Sequence, residues 1–95
     1  MKTISTELVP KPEYHVRRRK YDGVVWLIAN NYFYELDELA DSIWLECDGR
    51  HTLEQIAQGL LSARQLPLDM ALSATIMAVE SFHSSGLIKY ASNDS

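Results

Sequence analysis

The sequence has little of what chemistry usually needs. A single cysteine, Cys47, excludes an internal disulfide. Met1-Lys2-Thr3 leads into mixed polar residues rather than an apolar signal segment, so a reducing cytoplasm is the expected compartment. No apolar run approaches the roughly 20 residues that a spanning helix needs, which sets a membrane role aside. The four glycines form neither a phosphate loop nor a dinucleotide fingerprint. His15, His51 and His83 have no paired ligand spacing, so neither a metal nor a cofactor is expected. Cys47 falls on an apolar helical stripe and reads as a small core residue rather than a nucleophile. Asp41, Glu46, Asp48 and Glu54 are spread over helix surfaces and make no catalytic pair. An enzyme acting alone is not the expectation.

Cations are scarce beyond the first quarter of the chain. Residues 1–23 hold six of them against three acids, whereas the remainder holds Arg50, Arg64 and Lys89 against ten acids. Phosphate binding needs clustered cations that release counterions, so the body is a poor nucleic-acid surface. The run Arg17 to Lys20 reads by default as a solvated strand end, with an anion or acidic-partner contact as the alternative. With 95 residues, 46% of them hydrophobic, the chain has room for one small core.

Residues 1–12 are polar, carry Pro10 and Pro12, and read as a flexible tail; the domain is expected over 13–90, with a disordered tail at 91–95. A weak alternation marks a first strand near Tyr14 to Arg19. Asp22-Gly23 is a hairpin turn, and Val24 to Ala29 follows as a β-branched, aromatic strand. Asn30-Asn31 is a second turn, leading into a third strand over Tyr32 to Leu36. The period then changes. Asp37 caps a helix with Leu39, Ala40, Ile43, Trp44 and Cys47 on one stripe, ended by Gly49. Thr52 to Gln55 is a capping box that opens a second helix. Pro67 suits the first turn of a third, which carries Ala71, Leu72, Thr75, Val79 and Phe82 inward until Gly86. Leu87 to Tyr90 returns to the core, and Trp26 and Trp44 are both assigned to it. Three strands followed by three helices predict an α+β, winged-helix-like layer structure with the third strand at an edge.

One ordered set of residues adds to this reading: Tyr34-Glu35-Leu36-Asp37, Ile43-Trp44, Asp48-Gly49, Thr52 to Ile56 and Gly86-Leu87-Ile88. Over roughly residues 14–90 it resembles the PqqD-like family, also called RiPP recognition elements. Asp37 replaces the family's usual asparagine, which keeps the cap, while the N-terminal segment and Arg17 to Lys20 match nothing in the pattern. The resemblance implies three strands and three helices that hold the leader segment of a ribosomally made precursor peptide for a separate enzyme. That enzyme is expected to be a radical S-adenosylmethionine enzyme, and otherwise a leader protease of the lasso-peptide kind.

An unpaired edge strand accepts an extended peptide as a further strand, while neighbouring pockets select its side chains. The candidate edge is Asn31, Tyr32, Phe33, Tyr34 and Glu35. Met70, Ala74, Met77, Ala78 and Ser81, lying off the inward stripe of the third helix, are the candidate wall. Alternation puts Tyr32, Tyr34 and Leu36 on one face and Phe33 and Glu35 on the other, so both sets cannot be core in a one-sided sheet. By default an aromatic strand, like Met70 and Met77, simply packs. Two rival functions are weighed. A winged-helix DNA binder needs a basic or amide-bearing recognition helix, and residues 68–85 contain no Lys or Arg. A dimerisation module would pair through the third strand, since open edges self-associate.

Overall fold

In the computed structural model, residues 5–91 are described. The elements follow one another as β1 (Pro10–Pro12), β2 (Arg17–Tyr21), β3 (Val24–Ala29), β4 (Tyr32–Leu36), α1 (Glu38–Glu46), α2 (Leu53–Arg64), α3 (Leu68–Ser84) and β5 (Ile88–Tyr90). Strands β2, β3 and β4 form an antiparallel meander in that order. Both of its turns use left-handed backbone: Asp22 and Gly23 have φ of 56° and 80°, and Asn30 and Asn31 have 54° and 69°. Paired positive φ values match the twist of a two-residue hairpin, which is why Asp-Gly and Asn-Asn stand there. The expected α+β architecture, three antiparallel strands followed by three helices, is the one observed.

Alternation along β3 divides the sheet. Val25, Leu27 and Ala29 are buried under the helices together with Leu36 of β4, and they join Ile43, Trp44, Leu53, Ile56, Val79 and Phe82 in one core. Each large aliphatic side chain removed from water this way contributes roughly 1.5–3 kcal/mol. Trp44 meets Phe82 edge to face, with ring centroids 5.3 Å apart, and so joins α1 to α3. Trp26 departs from the expectation. It points to the other face of β3, is only half-buried, and contacts Phe33 edge to face at 6.4 Å. The helices cover one side of the sheet, so a residue out of phase with Val25 and Leu27 cannot be core.

The helix ends agree with the sequence reading in kind and differ in detail. Asp37 caps α1 by accepting from the Ala40 N–H at 2.8 Å. The helix ends at Cys47, whose N–H donates to the Trp44 carbonyl, and Gly49, at φ 81°, comes two residues later instead of directly ending it. The capping box at Thr52 is present in both directions, with Gln55 N–H to Thr52 Oγ1 at 3.1 Å and Thr52 N–H to Gln55 Oε1 at 2.9 Å. Pro67 stands at the N-cap of α3 rather than inside its first turn. The first strand of the meander also starts later and runs further than the alternation suggested, leaving Tyr14 fully in solvent.

The N-terminal segment is the largest correction. Pro10–Pro12 pairs antiparallel with Ile88–Tyr90, and Pro10 is buried, so this part of the expected tail belongs to the fold. The Thr6 and Leu8 carbonyls accept from the Glu54 and Leu53 N–H groups at 3.1 and 3.0 Å. Those are first-turn amides of α2, which have no acceptor within the helix. At the other end, the Ala91 N–H donates to the Val9 carbonyl at 2.7 Å. The remaining tail expectations, at residues 1–4 and 92–95, lie outside the described residues.

Cys47 is core, as its stripe predicted. It is 1% exposed, and its thiol donates to the Ile43 carbonyl at 3.3 Å. Burial, with the carboxylates of Asp48 and Glu46 adding to it, pushes the thiol up from its ordinary 9.0 to about 12. A neutral thiol reacts poorly. Ellman's reagent should therefore leave Cys47 untouched at neutral pH until urea unfolds the chain, and labelling at the rate of a free thiol would contradict this burial. Because the folded value lies above the unfolded one, the stability that the neutral thiol contributes is complete below pH 9.0 and lost as pH rises towards about 12. The urea midpoint of the wild type should fall towards that of Cys47→Ala across this interval.

Candidate functional site

Leu36, the last residue of β4, is buried, and Asp37 caps α1 directly after it, so the chain passes from edge strand to helix without a linker. That places the first turns of α1 beside the middle of α3. Between them lies an open depression of about 250 Å³ lined by Leu39, Ala40, Ile43, Ala74, Met77 and Ala78, with Asp37 at its rim. On α3 the residues Ala74, Met77, Ala78 and Ser81 follow spacings of three, one and three and share one stripe. Two alanines keep that wall low. Met77, 69% exposed, lies at the surface with an adaptable apolar side chain. Among the described residues Asp37 is the one charged lining residue, and its carboxylate is already engaged as the cap of α1.

Strand β4 has β3 on one side and, among the described residues, no strand on the other. Its second row of N–H and C=O groups is thus available to a guest strand. Tyr32 and Tyr34 stand on the helix-facing side, with rings 6.3 Å apart; Tyr34 packs against the core and Tyr32 is exposed. Phe33 and Glu35 face the opposite way, in register with Ile28 and Trp26. They can serve an edge-bound peptide by backbone alone, because strand alternation turns their side chains away from α3. Asn31 sits in the turn that opens the strand, outside the depression.

Of the wall residues predicted from sequence, Ala74, Met77 and Ala78 come together in the depression, while Met70 and Ser81 extend their stripe beyond it. The sequence places Leu39, Ala40 and Ile43 on an apolar stripe, and in the structure they form the facing wall. The signal for them was present in the stripe of α1, but an apolar stripe does not say where the layer covering it stops.

Elsewhere the polar groups have local uses. His51 Nδ1 lies 2.9 Å from Asp48 Oδ1, and His83 stacks against Tyr90 at 4.8 Å. Among the described residues no group of three His, Cys, Asp or Glu side chains is arranged to hold a metal ion. No described helix is long and apolar enough to cross a membrane.

A short antiparallel meander capped directly into a three-helix layer, with the open edge of β4 beside an apolar depression, defines a small winged-helix-like α+β protein. Residues 22–88 match the model of the family described as coenzyme PQQ synthesis protein D (PqqD), and the chain belongs to that family. Its fold is similar to the solution structure of the PqqD truncation of Methylobacterium extorquens PqqCD. The TM-score is 0.79 at 22% identity, covering 92% of this chain and 95% of that one. That protein is described as a functional, stand-alone recognition element for ribosomally synthesised and post-translationally modified peptides. Among curated proteins, none is significantly similar in sequence.

Proposed function

We propose that this protein is a non-catalytic recognition element that captures the leader of a ribosomally made precursor peptide and presents it to a modifying enzyme. The leader lies along β4 as a fourth strand of the meander, and an apolar leader side chain enters the depression between α1 and α3. The observation that carries this reading is the coincidence of the free β4 edge with that depression. Main-chain hydrogen bonds along an edge supply affinity, and a pocket for alternate side chains supplies selection. The receiving enzyme is a radical S-adenosylmethionine enzyme, with a lasso-type leader protease as the alternative; any iron–sulfur cluster belongs to that partner.

The rival readings draw less support. The exposed face of α3 has no Lys or Arg for base or phosphate contacts. A homodimer through β4 would fill the same edge and compete with the leader.

Titration of the labelled protein with a synthetic precursor leader peptide tests the reading. Binding is expected in the nanomolar to micromolar range, order of magnitude for a strand-addition interface. Amide shifts should gather at residues 31–43 and 68–82. Shifts confined to Arg17 to Lys20, or self-association that excludes the peptide, would reject it.

A further inference from the structure

Strand alternation divides the run Arg17-Arg18-Arg19-Lys20 between two faces of the sheet. Arg18 turns to the helix side and grips Asp41 of α1 in bidentate fashion, Nε to Oδ1 at 2.8 Å and Nη2 to Oδ2 at 2.7 Å. Arg17 and Arg19 are exposed on the opposite face and make no ion pair among the described residues. Arg17 stands across from Ile28 and Arg19 across from Trp26, and Phe33 of β4 lies beyond Ile28. Arg19, Tyr21, Trp26, Ile28 and Phe33 line a shallow depression of about 330 Å³ on this face. No helix covers it. Tryptophan, aromatic and arginine side chains gathered on an open surface are the composition of an interface centre, and contiguous apolar surface of this kind marks interaction sites.

We infer that this outer sheet face docks a second protein, the enzyme that receives the leader, through an apolar patch on that enzyme rimmed by carboxylates. The inference rests on the recognition-element reading above and adds a second surface to it. Charge selects the occupant: two unpaired arginines beside an apolar floor call for carboxylates. A two-fold pairing of this face with its own copy would bring four arginines into one interface, with Glu35 of each copy as the strand carboxylate on this face to answer them. A single-stranded nucleic acid would need more cations than these two, and Glu35 lies on the same face opposite Trp26. The leader depression is on the helix side of the sheet and this one on the other side, so leader and enzyme can be held at the same time.

The test uses the full chain, a synthetic precursor leader peptide and, as the receiving enzyme, a purified radical S-adenosylmethionine enzyme. The double variant Arg17→Glu/Arg19→Glu should bind the enzyme at least about tenfold more weakly, with leader affinity changed less than about twofold. Trp26→Thr should act in the same direction, and wild-type affinity for the enzyme should weaken with added salt. Circular dichroism melting of each variant separates docking from folding. The inference is overturned if the enzyme fails to bind the wild type, or if it binds the double variant as tightly. It is also overturned if a single-stranded oligonucleotide or a second copy of the chain takes the face through the same arginines. Failure of the leader to bind the wild type would instead bring down the recognition-element reading, so the two failures are distinguishable.

Discussion

Replacing Ala74 with arginine should lower affinity for the leader peptide by a factor on the order of 100, about 2.7 kcal/mol, while the melting temperature stays within a few degrees of wild type. Ala74 lines the depression between α1 and α3, opposite Leu39 and Ile43. Its methyl group keeps the α3 wall low. An arginine stem would occupy most of a space of about 250 Å³ and bring a charge to the apolar surface where a leader side chain is to sit. Arginine is nearly as good a helix former as alanine, and at a partly exposed position its head group reaches water, so α3 should persist. Calorimetric titration checks the affinity and thermal denaturation checks the fold. Wild-type affinity in Ala74→Arg would place the leader elsewhere, and a large drop in melting temperature would make Ala74 a packing residue.

Deleting residues 1–12 should destabilise the protein by at least about 3 kcal/mol, lowering Tm by on the order of 15 °C or abolishing the cooperative transition. The deletion removes the β1 pairing with Ile88–Tyr90 and the buried ring of Pro10. It also strips the Leu53 and Glu54 N–H groups of their acceptors, the Leu8 and Thr6 carbonyls, and takes from Gly49 N–H the Pro10 carbonyl at 2.9 Å. Thr52 would still serve Gln55 and Ile56, so the start of α2 would be half served rather than lost. Urea and thermal unfolding of the truncated chain measure the effect. Unchanged stability would return the segment to the status of a tail, as its polar sequence first suggested.

These two expectations differ in how far the sequence foreshadowed them. The α3 wall was legible, because Ala74, Met77 and Ala78 lie off the stripe of Ala71, Thr75, Val79 and Phe82, and a helical period distinguishes two faces of one element. The edge position of β4 was legible as well, from the order of turns and strands. What sits across from a face was not. Leu39 and Ile43 are apolar whether a helix covers them fully or leaves one side open. Trp26 is expected in the core, although its phase against Val25 and Leu27 already puts it outside. The role of Thr6 to Pro12 left no periodic trace at all, since its hydrogen bonds to α2 are made by backbone carbonyls, which every residue carries.

By itself the sequence determined the local elements: hairpins at Asp22-Gly23 and Asn30-Asn31, helices capped by Asp37 and Thr52, and the face each element buries. Those features depend on backbone propensity, capping and period, all of which act within a few residues. Only the tertiary structure decided that β1 closes against β5, that Arg18 and Arg19 point to different tasks, and that α1 and α3 leave a depression beside the open strand. Each of those follows from pairing and packing between segments far apart in the chain, where the outcome depends on which surface reaches which partner, and no local pattern records that choice.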